Sequence, residues 1–125
     1  IQIEMGVKVD RKTKYVELIA RFSVESGRSP ISEIQKAFEN NLKLSQFGNT
    51  LKEEVSLFNF RIVPKGAVPE ALNWFEIAIE PVILKPNTTY MVNIVYRKED
   101  KSAVEDFIGG LNTTILRLIE TIEGR

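Results

Sequence analysis

The sequence contains no cysteine and no histidine. The first absence excludes disulfides, thiolate nucleophiles and cysteine-ligated iron–sulfur clusters. The second removes the commonest general base and the commonest metal-binding side chain. Ser–His–Asp triads, Cys–His dyads and ordinary zinc sites therefore cannot be assembled. Neither sign of charge is in excess: 17 Lys and Arg stand against 17 Asp and Glu, so no bulk field draws the chain to nucleic acid or anionic lipid. No apolar run approaches the ~20 residues of a membrane-spanning helix. The glycines of "GRSPIS" and "FIGGLN" match neither the dinucleotide nor the P-loop pattern. These absences predict no cofactor, no metal and no membrane; for catalysis they leave carboxylate, lysine, tyrosine, hydroxyl or an oxygen-ligated cation, so an enzyme using Lys or a carboxylate ranks last among the readings.

What is present fits a single domain over residues 1–125. Apolar residues make up 43 % of the chain, enough for a core that needs no metal or disulfide. Residues 1–4 ("IQIE", ahead of Met5) read as frayed, as a vector remnant or as the start of a chain whose upstream segment is missing, and 122–125 ("IEGR", which matches a protease-cleavage tag) as frayed, vector-derived or equally native. No secretory leader is visible, and a cytoplasmic location is expected. A chain rich in Ile, Val, Glu and Lys, without thiols, leans toward a thermophilic source.

Hydrophobic period then assigns the elements. Val7 and Val9 alternate ahead of a polar "DRKTK" turn. Val16, Leu18, Ala20, Phe22 and Val24 alternate after it, which predicts a hairpin of two strands. "GRSPISEIQKAFENNL" predicts a helix capped by Ser29 with Pro30 at its first position and a stripe of Ile31, Ile34, Phe38 and Leu42. "QFGNT" is expected to turn. A strand follows in "LKEEVSLFNFRIVP", with opposed phases at Val55 and Leu57 and at Phe58, Phe60 and Ile62, and then a long loop in "PKGAVPEALN". Phe75, Ile77 and Ile79 define the next strand, with Pro81 marking an edge or a bulge. "KPNT" is expected to turn before a last strand carrying Tyr90, Val92, Ile94 and Tyr96.

The C-terminal segment carries Val104, Ile108, Leu111, Ile115, Leu118 and Ile122 at heptad-like steps, starting near Asp100 or Ser102. Gly109 and Gly110 interrupt it. One continuous helix is expected, with a break before Asn112 as the alternative. The element order ββαβββα predicts an α+β two-layer sandwich, an antiparallel sheet of about five strands with two helices on one face, of ferredoxin-like type as one option. Its core is expected from Val16, Leu18, Phe22, Ile34, Phe38, Phe60, Ile77, Ile79, Val92, Ile94, Ile108, Leu111, Ile115 and Leu118.

Three kinds of site are open to such a chain. Ile19, Trp74, Ala78, Val82, Met91 and Val95 fall on the outer sheet face, which is more apolar than a solvated face needs to be. Gly109 and Gly110 would let a second backbone approach closely. Together they predict a non-catalytic module that self-associates, as a homo-oligomer and most simply a dimer, and that takes up protein partners. The second reading is a small-ligand-binding or regulatory domain, with Tyr15, Tyr90, Tyr96 and Trp74 near a pocket. The third is contact with nucleic acid through the basic hairpin tip, using Lys8, Arg11, Lys12, Lys14 and Tyr15. The carboxylates Glu53, Glu54, Glu99, Asp100, Glu105 and Asp106 read as strand and helix-end residues rather than a metal site.

Overall fold

The computed structural model describes residues 2–10 and 14–125. Strands β1 (Gln2–Asp10) and β2 (Tyr15–Glu25) form the expected hairpin. Two helices follow, α1 (Pro30–Ala37) and α2 (Leu42–Leu51), then β3 (Phe60–Ile62), β4 (Trp74–Val82) and β5 (Lys85–Lys98). The chain ends in α3 (Lys101–Gly109) and α4 (Leu111–Ile122). The strands form one antiparallel sheet in the order β1-β2-β5-β4-β3, and the architecture is an α+β sandwich.

The order is not ferredoxin-like. That fold is built from β-α-β units, whose two strands run parallel, whereas here β2 and β3, the strands on either side of α1 and α2, are three antiparallel pairings apart and run in opposite directions. The sheet is instead two hairpins, β1–β2 and β4–β5, joined along β2 and β5, with β3 added at the far edge.

Alternation produces the core. Leu18, Phe22 and Val24 of β2 share one face with Tyr90, Val92 and Ile94 of β5 and Ile77 and Ile79 of β4. Ile34 of α1, Val104 of α3 and Leu111, Ile115 and Ile119 of α4 close that face, all nearly inaccessible to solvent. Phe38, Phe60, Ile108 and Leu118, expected in the core, pack against it while partly exposed.

The caps are as the sequence predicts. The Ser29 hydroxyl accepts from the Ser32 N–H with Pro30 buried behind it, and Asp100 accepts from the Ser102 N–H. Pro81 sits at a register shift between Pro81 and Val82, so it is the bulge rather than the edge.

Four local expectations are corrected. "QFGNT" is not a turn. Asn41 accepts from the N–H groups of Lys43 and Leu44 and starts α2 there, so α1 has already ended and Leu42 is 78 % exposed rather than part of the α1 stripe. The strand expected across "LKEEVSLFNFRIVP" is only three residues long, although Leu57 packs on the core. The turn between β4 and β5 is Ile83–Leu84 rather than "KPNT". Asn87 and Thr88 lie in β5, where the Asn87 side-chain oxygen Oδ1 accepts from the Ser29 hydroxyl and the Thr88 backbone oxygen from the Ser26 N–H. Finally, the last helix is broken. Gly110 has φ −105° and ψ 10°, ending α3 and serving as the first cap of α4 without a side-chain bond. The break thus falls at the glycines, before Asn112 as in the alternative, with Gly110 rather than Asn112 in the capping position.

Candidate interaction surface

The helix layer does not cover the whole sheet. α1 lies over β5 and β4, and α3 over β2 and β5. β1 lies beyond them, an edge strand of nine residues that among the described residues pairs on one side only, with β2. In the register of the hairpin, Ile3, Met5 and Val7 sit beside Phe22, Ala20 and Leu18, on the helix-bearing face. Their neighbours on β2 are sealed at 2 % exposure or less, whereas Ile3, Met5 and Val7 remain 49 %, 52 % and 53 % exposed. The core therefore closes at β2 and leaves an apolar row outside it.

On the opposite face β1 presents Glu4, Gly6 and Lys8, all exposed. They lie beside Arg21, Ile19 and Glu17. Arg21 donates to the Asn93 side chain at 3.0 Å, and Glu17 accepts from Arg97 at 2.8 Å. Signs thus alternate across the strands: Glu4 beside Arg21, and Lys8 beside Glu17 beside Arg97.

The residues expected to form an outer-face patch are divided by the structure. Ile19 is half exposed and Ala78, Val82, Met91 and Val95 are partly exposed, but Trp74 is 5 % exposed. The loop 63–73 folds back at that end of the sheet. Arg97, beside Trp74, donates to the backbone oxygens of Pro69 and Ala71 at 2.6 and 3.0 Å while holding Glu17. Trp74 is thus withdrawn from the surface, and Glu17 is a buried carboxylate satisfied by a guanidinium.

Gly109 and Gly110 are exposed, and a methyl group at either would meet nothing within 4 Å. No neighbour within the chain requires glycine there. The close backbone approach occurs instead at Gly48, where a Cβ would fall 2.8 Å from the Glu53 backbone oxygen. Lys52 takes a left-handed conformation, φ 58°, and turns the chain back across α2. None of the residues of α2 is buried, and Phe47 and Leu51 are 59 % and 64 % exposed.

At the hairpin tip, Lys8 and Lys14 are exposed, and Arg11 and Lys12 lie outside the described residues. Tyr15 does not offer a free stacking face on both sides, since the Arg97 guanidinium stands 4.9 Å from its ring centroid. The other two tyrosines are occupied as well. Tyr96 stacks on Phe107 with ring centroids 3.9 Å apart. Tyr90 is fully buried, and its hydroxyl donates to Glu123 at 3.0 Å.

Glu123, within "IEGR", has a fully buried side chain. It accepts from the Ser26 hydroxyl at 2.6 Å, from Tyr90 and from Arg125, while its backbone oxygen accepts from Arg28. Burial pushes the Glu123 carboxyl up, but the hydrogen bonds from Ser26, Tyr90 and Arg125 outweigh it and hold the group below its ordinary value. Burial first, then the bond to Glu123 and its charge, push the Tyr90 phenol well above its ordinary value. No buried side-chain donor or acceptor among the described residues lacks a partner, so this cluster fastens α4 to β5 and the end of β2 rather than offering a reactive group.

An apolar cleft of about 290 Å³ opens between α1, α4 and the β3–β4 edge, lined by Phe38, Phe60, Ile62, Ile79, Leu118 and Ile122. It does not contain the tyrosines or the tryptophan that the sequence placed near a pocket. Among the described residues, no group of three or more Asp and Glu side chains is arranged to hold a metal ion, and no helix is long and apolar enough to cross a membrane. Asp100 is committed to the α3 cap, Glu99 to Asn73 and Glu105 to Lys101.

Comparison with family models, with curated proteins and with solved structures returned no match.

Proposed function

We propose that the protein is a non-catalytic interaction module that self-associates through the β1 edge of its sheet. One observation carries this reading. β1 is long, unpaired on its outer side, and lined on its helix-side face by Ile3, Met5 and Val7, about half exposed and continuous with the core. An edge strand presents a row of free N–H and C=O groups, and an apolar edge of this length is a template for another strand. Lysine at the edge is a usual protection, but Lys8 is accompanied by Glu4 on the same face, so the edge carries no like-charge barrier. Light scattering over a concentration series tests the reading. A dimer that dissociates on dilution is the expected result, and a monomer at every concentration overturns it.

A second reading is supported by the apolar cleft beside Phe38 and Phe60. Its volume is at the lower end of small-molecule sites, which run from ~300 Å³ upward, and its lining is suited to an uncharged, apolar ligand. Saturable enhancement of the fluorescence of a small apolar probe by the parent, abolished in Leu118→Trp, which fills the cleft, is the expected result, and equal enhancement by both proteins overturns this reading.

A further inference from the structure

We infer that two copies join their β1 strands antiparallel about a two-fold axis at Gly6, which extends the sheet across the dimer. This rests on the self-association proposed above and gives it a register. Three facts lead to it. The axis must be normal to the sheet, because antiparallel pairing between identical edges keeps the two helix layers on the same side. Equivalent faces then meet only if even-numbered residues oppose even-numbered ones. Of the registers that obey this, the one centred on Gly6 places Glu4 opposite Lys8 of the second copy, and does so twice. It also places Met5 opposite Val7 twice.

The neighbouring registers lose this match. Centring on Met5 sets Glu4 against Gly6, and centring on Val7 sets Gly6 against Lys8. In the Gly6 register the alternation of sign already present inside each chain continues through the seam. Lys8 of one copy faces Glu4 of the other, which lies beside Arg21; Glu4 of one faces Lys8 of the other, which lies beside Glu17 and then Arg97. Opposite charges directly across antiparallel strands are favourable and like charges are not. The helix-side rows of the two copies meet as one apolar strip between the two helix layers. On the other face, the paired glycines leave a shallow gap bordered by the half-exposed Ile19 of each copy.

Charge exchange tests the register on the full chain. Glu4→Lys alone sets Lys against Lys at both pairs, and Lys8→Glu alone sets Glu against Glu. Each variant should dimerise at least roughly tenfold more weakly than the parent. Mixing the two restores both pairs, Lys with Glu and Glu with Lys, so an equimolar mixture should regain the parent's association as a heterodimer. Both positions are exposed, so circular dichroism should show unaltered folds. The absence of cysteine gives a second measurement. A methyl group at Gly6 would meet nothing within 4 Å, and directly opposed strand residues lie ~4.5–5.5 Å apart at Cα, within disulfide reach. Gly6→Cys should therefore oxidise to a covalent dimer, whereas Lys8→Cys, which has no equivalent opposite it, should not. A parent that is monomeric throughout overturns the self-association and the register together. A dimeric parent whose mixed variants show no rescue, or whose Lys8→Cys cross-links as readily as Gly6→Cys, overturns the register and leaves the self-association standing.

Discussion

The two edges of the sheet are built in different ways. β3 is three residues long, and Phe60 at its start packs against Phe38, the C-cap of α1, with ring centroids 5.0 Å apart. The edge is short and its apolar side chain is drawn under the helix layer, so little of it is available to another strand. β1 is three times as long and its apolar row has no helix above it. The first edge is finished by the chain's own helices. The second is complete only if something else lies beside it. α1 lies over β5 and β4 and α3 over β2 and β5, which leaves Ile3, Met5 and Val7 about half exposed.

The comparison can be broken most severely at the boundary between core and edge. Phe22→Ala should cost ~3–5 kcal/mol, whereas Ile3→Ala, beside it on β1, should cost well under ~1 kcal/mol in the monomer. Urea unfolding reads both, and similar losses at the two positions would show that the core extends to β1. Phe60→Ala should cost ~2 kcal/mol, because its ring is only partly buried. If its loss is no larger than that of Ile3→Ala, the short edge is no better anchored than the long one.

The helix layer is held over the middle of the sheet by Glu123, and this can be loosened with acid. A carboxyl held below its ordinary value contributes stability that is complete above that value and is lost as the pH falls from there through the folded-state value. The phenol of Tyr90, raised by its burial, contributes below the ordinary tyrosine value and loses that contribution as the pH rises above it. Melting temperature followed against pH should fall on both sides. Glu123→Gln should flatten the acid limb, and an unchanged acid limb would remove Glu123 from the account. The smallest effect is at the helix break. Gly109 has open space around it, so Gly109→Ala should stabilise the fold by ~0.5–1 kcal/mol. A loss of stability or of dimer mass in that variant would place a second molecule against α3.

Much of the fold was legible in the residues. Alternation located β2, the start of β4 and the second half of β5 with the correct inward face, because each has one face in the core and the other toward solvent. Ser29, Pro30 and Asp100 were read correctly because caps act through neighbouring backbone groups and need no tertiary context. α2 was missed since Ser45, Gly48, Asn49 and Thr50 are weak helix formers, although Asn41 two residues ahead of Lys43 was an available signal. The Ile83–Leu84 turn was hidden by the absence of any glycine or asparagine at the turn itself. For the interaction surface, the pattern of Val7 and Val9 pointed to a strand, yet nothing local says that the helices stop short of it. Trp74 and Glu17 depend on a loop folding back from residues 63–73, and Glu123 depends on partners at Ser26 and Tyr90, far away in sequence. These are long-range facts that periodicity does not encode.

The seam between β2 and β5 has a consequence for how the chain reaches this arrangement. Each hairpin, β1–β2 and β4–β5, closes between neighbours in sequence. The seam instead pairs Val16 with Lys98 and Glu25 with Thr89, across the entire excursion through α1, α2, β3 and β4. The entropy of closing that loop must be met before the contacts of the seam reward it. Joining the two hairpins is therefore the step expected to set the pace of folding, and until it occurs the apolar faces of β2 and β5 are open to a neighbouring molecule as well as to each other.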